Sequence, residues 1–235
     1  MIEEQVKSIR VRLRLAMNGV ISSSMREKGI RYRLNFGVPL PEIREIARAY
    51  SPDPELAAAL WKEDIREFKI LATLLQPAAS FSCEEALAWV KEIPYPEIAE
   101  QASRNLFSKM EAADRFAAEL FDRTEKAGEE EEKESLYARE VAFLTWAHQL
   151  AAGVLLPPTV CDRLRTEALR TLDGSRPAAP WAEKQAAVLA LRSYGRLSET
   201  KAAEVLSWLA DFAASADAEQ QEFYKELKFD FEYFR

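Results

Sequence analysis

His148 is the single histidine of a 235-residue chain that also carries two cysteines, Cys83 and Cys161, and seven glycines. Two Cys and one His cannot make an ordinary zinc site, and a glycine-rich phosphate cradle has little to build with. Carboxylates, amides and guanidinium groups remain. After Pro96 the sequence reads Glu97-Ile98-Ala99-Glu100-Gln101-Ala102-Ser103-Arg104. Helical spacing puts Ile98, Ala102 and Leu106 on a buried stripe, and Glu97, Gln101 and Arg104 on another face at spacings of four and three. That face offers a carboxylate, an amide and a cation for electrostatic work, or a solvated polar pairing. Arg139 suits a phosphate contact or a carboxylate partner. His148, on an apolar helix, reads as a core residue, as do Trp61 and Trp89.

The net charge of −7 is unevenly placed. Residues 1–50 hold ten Lys or Arg against five Glu, a balance of +5, while the other 185 residues hold 22 basic against 34 acidic groups, −12. A basic amino-terminal segment on an acidic body suits a local grip on an anionic polymer, and suits plain solvation equally. Lys7, Arg10 and Arg14 fall on one helical face, opposite Ile2, Val6, Ile9 and Leu13. The two cysteines are far apart, so no disulfide framework is expected and the cytoplasm is the expected compartment. Met1-Ile2-Glu3-Glu4 lacks the parts of a signal peptide. The longest uncharged stretch, Val141 to Cys161, contains Thr145, Gln149, Gly153 and Pro157-Pro158, whereas a membrane span needs roughly 20 apolar residues. It reads as a buried helix ending near Leu156, and no membrane partner is expected.

Positioning these residues falls to helices. The helical period of apolar residues recurs along almost the whole chain, and strand alternation is essentially absent. Pro41 opens a helix with the stripe Ile43, Ile46, Ala47 and Tyr50, and Asp53-Pro54 opens the next. Asp64 is expected to start a third, with Phe68, Leu71, Ala72 and Leu75 inward and Pro77 as its stop. Ser82 with Glu85, and Ser108 with Glu111, fit capping boxes and predict two further starts. Helices are also expected at about 133–153, 158–173, 180–194, 198–213 and 218–233. The acidic run Glu129 to Glu132 reads as a solvated turn before a helix. Starts read as two helices apart, 41 and 82, 96 and 133, 158 and 198, 180 and 218, differ by 37 to 41 residues. A two-helix HEAT unit repeats every 40 to 47 or so. The expected architecture is all-α, one HEAT-like helical-repeat solenoid over residues 1–235 with about eleven or twelve helices. Phe223, Leu227, Phe231 and Phe234 would close its carboxy-terminal end. Tyr224, Phe229 and Tyr233 fall off that stripe, for a second packing partner or an exposed aromatic patch.

The run Asn35-Phe36-Gly37-Val38-Pro39-Leu40-Pro41-Glu42-Ile43-Arg44, followed by Leu60-Trp61-Lys62-Glu63-Asp64-Ile65-Arg66-Glu67 and Ile70-Leu71-Ala72, resembles the AlkD-like family of DNA alkylation repair proteins. Downstream, Tyr137-Ala138-Arg139-Glu140 resembles the family's aromatic-x-Arg-Arg helix, and Ala186 to Gly195 resembles the helix that carries a Trp before Ala-Leu-Arg. The ordered resemblance spans roughly residues 30 to 200. It implies a HEAT-like solenoid whose basic concave surface holds duplex DNA, in a family whose active members excise N-alkylated purines without a metal; no cofactor is expected. It also implies Arg33, Arg44, Lys62, Arg66, Arg139 and Lys184 as candidate DNA contacts.

This sequence departs from the family's active pattern of Trp and Asp four apart, a later Trp, and an Arg between. Gln101 falls where the Asp belongs and Glu97 where the Trp belongs; a shift of one residue would bring Glu100 to the carboxylate position. Leu189 stands in place of the later Trp, and Glu140 in place of the second Arg. A neutral amide cannot offset the positive charge that develops on the sugar as the base leaves. The resemblance therefore implies a divergent member that binds damaged or distorted duplex DNA with excision weak or lost. A HEAT-repeat scaffold for a protein partner is the alternative. A third reading is a glycosylase using Glu100 or Glu97 as its carboxylate.

Overall fold

Thirteen α-helices run through residues 1–126, 136–176 and 179–233, the residues that the computed structural model describes. They are α1 (Ile2–Leu15), α2 (Gly19–Glu27), α3 (Leu40–Arg48), α4 (Pro54–Trp61), α5 (Arg66–Leu75), α6 (Cys83–Lys91) and α7 (Pro96–Asn105). Then follow α8 (Ala113–Lys126), α9 (Ala138–Ala151), α10 (Pro158–Leu172), α11 (Trp181–Gly195), α12 (Glu199–Trp208) and α13 (Ala218–Tyr233). Among the described residues the sole β-pairing is an isolated parallel bridge between Leu34 and Ile65. No helix of the described residues is long and apolar enough to cross a membrane. The acidic run Glu129 to Glu132, the first residues of the 133–153 helix, and Phe234 lie outside the described residues.

The chain groups into two compact units. The first is Met1–Ser82 with Asn105–Glu111, the second Cys83–Arg104 with Ala112–Arg235. In the first, α1 packs on α3 and α4, and both of these pack on α5. Ile9, Leu13, Ile43, Leu56, Leu60 and Phe68 are fully buried there, and Trp61 nearly so. In the second, α9 packs on α6, α8 and α11, while α11 packs on α10, α12 and α13. Contacts that skip one helix, such as α9 with α11 and α11 with α13, are what stacked helix pairs produce. Twelve of the 14 residues of α9 are buried, which makes it the central helix of that unit.

Local chemistry explains most boundaries. Asp53 caps α4 by accepting hydrogen bonds from the Glu55 and Leu56 amides, a cap that contributes about 1 kcal/mol. The end of α9 comes at Ala151 rather than near Leu156. Gly153 takes φ +80, its amide bonds Leu150 O and the Val154 amide bonds Gln149 O, a Schellman closure that only a left-handed residue allows.

Two expected starts move, and one expected spacing holds a different number of helices. Asp64 does not cap α5, because its carboxylate accepts the Arg33 amide at 2.8 Å and the helix begins at Arg66. The start expected at Ser108 is absent. Leu106, Phe107 and Met110 are buried in the first unit, Phe107 stacking on Phe81 at 6.4 Å, so this segment folds as a 3-10 turn and α8 starts at Ala113. The spacing from 41 to 82 spans three helices rather than two, because α4 has only eight residues and shares that length with α5. The described helices therefore outnumber the expected eleven or twelve.

The loop before α3 is held by a buried carboxylate. Glu67, fully buried, accepts the amides of Phe36 and Val38 at 3.1 and 3.2 Å, and Arg66 donates to both Val38 O and Glu67. Gly37 sits at φ +70, where an added Cβ would come 2.2 Å from the Asn18 carbonyl oxygen. At the other end of the chain, Phe223, Leu227 and Phe231 are buried as expected. Phe229 and Tyr233 form an exposed ring pair, their centroids 4.7 Å apart.

Candidate functional site

The register of α7 decides which of its polar residues faces outward. Ile98, Ala99 and Ala102 are fully buried, and the buried face is wide enough to take in Gln101 at 5% exposure. Glu100 and Arg104, at a spacing of four, pair on the outer face, Arg104 Nε donating to Glu100 Oε1 at 3.1 Å. The expected face of Glu97, Gln101 and Arg104 is thus corrected. Gln101 belongs to the core, and Glu100 is the carboxylate joined to Arg104.

His148 of α9 approaches the same carboxylate, Nε2 lying 3.4 Å from Glu100 Oε1. Burial raises the pKa of Glu100, but hydrogen bonding and charge from His148 and Arg104 outweigh it, so the group is held below its ordinary value and is ionised at neutral pH. His148 and Arg104 border a cleft of ≈570 Å³ whose other walls are Leu150, Ala151, Gly153, Leu189, Arg192, Ser193, Arg196 and Leu197. Two of its arginines are tied to α13. Arg196 donates to Asp230 through Nε at 2.8 Å and also through Nη2, and Arg192 pairs with Glu226. Among the described residues no Trp, Tyr or Phe lines this cleft, and His148 supplies its single ring.

Glu140, on the first turn of α9, is 6% exposed. Burial, reinforced by the charges of Glu100 and Glu183, pushes its carboxyl up to about 8. Two glutamates near one another thus hold opposite protonation states at neutral pH. From sequence His148 reads as a core residue, and Glu140 has no role beyond standing where the second Arg belongs. Their position near Glu100 depends on the packing of α9 against its neighbours, which no local pattern encodes.

The six expected DNA contacts divide. Arg44 and Lys62 are exposed and have no carboxylate partner among the described residues. Arg33 is exposed and pairs with Glu63. Lys184 is half-buried and pairs with Glu219. Arg66 is buried, its guanidinium engaged by Val38 O and Glu67, so it does not present a cation to solvent. Arg139 is likewise buried. It donates through Nε to Glu183 at 2.7 Å and through Nη2 to Glu167 at 2.9 Å and Thr171 at 3.1 Å, and it lies over the Phe121 ring. Both serve the interior because an unpaired carboxylate beneath them would otherwise be costly.

Residues 9–221 match the family model for DNA alkylation repair enzymes. The chain belongs to the DNA alkylation repair family. A solved structure described as "A new family of proteins related to the HEAT-like repeat DNA glycosylases with affinity for branched DNA structures" superposes with a TM-score of 0.70 at 14% identity, covering 95% of this chain and 94% of that one. Among curated proteins no match is found. The fold of this DNA alkylation repair family member is accordingly that of the HEAT-like repeat DNA glycosylases and their relatives. The cleft wall holds Leu189, where the resemblance calls for Trp, and two of its lining residues, Arg104 and His148, meet Glu100.

Proposed function

We propose that this DNA alkylation repair family protein binds damaged or distorted duplex DNA through its phosphate backbone, and that its alkylpurine excision is weak or lost. The observation that carries the binding is a set of exposed cations in the first unit, Arg12, Arg14, Lys28, Arg44 and Lys62, without carboxylate partners among the described residues. Surface cations elsewhere are largely neutralised by neighbours, as Lys184 and Arg196 are. Unpaired cations are free to replace the counterions of a nucleic acid, which supplies affinity that falls with salt.

The reading on excision is supported by the cleft beside Glu100. Aromatic faces hold a cationic alkylated base by cation-π contact, and this wall offers Leu189, Ala151 and Gly153 instead. Arg104 already neutralises part of the Glu100 charge that would stabilise a developing sugar cation.

Fluorescence anisotropy across a salt series tests the reading, using an intact duplex, a duplex with an abasic-site analogue, and a four-way junction as probes. The junction is included because the structural relative is described as having affinity for branched DNA. Salt-sensitive binding that favours the altered probes, weakened by Arg44→Glu with Lys62→Glu, supports it. No binding at low salt would overturn it.

A further inference from the structure

The turn between α1 and α2 presents four large apolar side chains to solvent, Val11, Leu15, Met17 and Val20, at 56%, 83%, 58% and 80% exposure. Scattered exposed apolar residues are ordinary, but four within ten residues around one turn form a patch. From Gln5 to Arg26 the chain carries Lys7, Arg10, Arg12, Arg14 and Arg26 and no Asp or Glu. Lys7, Val11, Arg14 and Leu15 share the solvent face of α1 through their spacings of four and three. Arg14 has no carboxylate partner among the described residues, and Arg12 lies over the Tyr50 ring at 5.7 Å while remaining exposed.

This patch is presented rigidly. Asn18 accepts the amides of Val20 and Ile21, its own amide donates to Phe36 O at 2.8 Å, and Ser22 Oγ donates to Asn35 O at 2.9 Å. Ile9 and Leu13, fully buried, anchor the other side of α1. The apolar tips therefore stand on a fixed backbone, which lowers the entropic cost of docking them.

The geometry points to a wedge: Leu15, Met17 and Val20 enter an unstacked base step of a distorted or branched DNA while Arg12 and Arg14 hold the phosphates beside it. The inference rests on the DNA-binding reading above and names the feature of DNA that is selected. Proteins that kink DNA insert such apolar side chains between base steps with cations alongside, at a cost of a few kcal/mol per step for unstacking. That cost is least where pairing is already lost, so a wedge converts opening energy into preference for lesions and junctions. A membrane surface fits less well, because an interfacial helix needs a continuous apolar face, and the solvent face of α1 alternates apolar and basic residues.

The test uses the whole protein and four probes: an intact duplex, a duplex with 2-aminopurine beside an abasic-site analogue, a four-way junction, and phosphatidylcholine–phosphatidylserine vesicles. Variants are Leu15→Ser with Met17→Ser and Val20→Ser, Leu15→Ser alone, and Arg12→Gln with Arg14→Gln, each checked by thermal melting. The wild type is expected to raise 2-aminopurine fluorescence and to prefer the altered probes about tenfold. The triple serine variant should bind intact duplex as before, lose the fluorescence rise, and lose most of the preference, with Leu15→Ser in between. The arginine variant should weaken all DNA binding and reduce the salt slope by about two. If the serine variants keep both fluorescence rise and preference, the wedge is overturned while DNA binding stands. If the wild type binds no DNA at low salt, the DNA reading itself fails. Vesicle binding that the serine variants lose, with DNA preference intact, would assign the patch to lipid instead.

Discussion

His148 Nε2 stands 3.4 Å from Glu100 Oε1, linking the last turn of α9, where His148 borders the arginine-walled cleft, to the outer face of α7. A carboxylate that the family resemblance makes a candidate for chemistry is therefore pinned between an imidazole and a guanidinium, with no Trp, Tyr or Phe among the described residues of the adjoining wall.

Glu100→Gln should leave base release from N-alkylated duplex DNA at the wild-type level, because that level is expected to be close to background. The loss of a partly exposed pair with Arg104 should change stability by under about 1 kcal/mol. Quantifying free alkylpurine from wild type and variant checks this. Robust release by the wild type that the variant abolishes would make Glu100 the working carboxylate and overturn the proposed loss of activity.

Glu140 should make stability depend on pH. Its carboxyl is held up to about 8 in the folded chain against 4.5 when unperturbed, so the folded state retains a proton that the unfolded state releases. The stabilising contribution is complete below about 4.5 and is lost as pH rises toward 8. Glu140→Gln removes that loss, and its advantage over wild type should reach the order of 3–5 kcal/mol near pH 8.5 while vanishing near pH 4.5. Denaturant melts across that range decide it; parallel curves for the two proteins would show that the group is ionised in the fold.

Arg139→Ala should cost up to about 3 kcal/mol, because it removes the buried cation between Glu167 and Glu183 and leaves them only partly exposed partners, Arg163 and Arg170 for Glu167 and Arg176 for Glu183. A thermal melt measures this directly. A change under about 1 kcal/mol would mean that the guanidinium is not structural and is free for another role.

Gly37→Ala should destabilise the chain by roughly 2–4 kcal/mol, since it combines a left-handed φ with a Cβ placed against the Asn18 carbonyl. The same variant should loosen the α1–α2 turn, because Asn18 donates to the neighbouring Phe36 carbonyl. Hydrogen exchange at the Asn18 amide reports on that loosening.

The helices themselves were legible in the residues. A cap such as Asp53 before Pro54, and the apolar stripes of α3 and α5, are local facts that any fold must respect, because a first-turn amide needs an acceptor and a stripe needs burial. The family resemblance was legible too. Its glycine at 37 answers to a left-handed turn, and its Asp64 and Glu67 answer to backbone amides at Arg33, Phe36 and Val38.

The site was legible only in part, and the reason is geometric. A helix advances 100° per residue, so Glu100 and Gln101 differ by a rotation that the width of the buried face must settle, and that width is set by the neighbours packed on α7. From sequence Arg66 reads as a DNA contact, and Arg139 as a phosphate contact or a carboxylate partner. Arg139 is buried because its partners, Glu167 and Glu183, lie 28 and 44 residues further along the chain. Local sequence determined most helix starts and the centre of each inward stripe. Which charges remained in water was decided by long-range pairing, since only the folded chain brings together the carboxylates that make burying an arginine affordable.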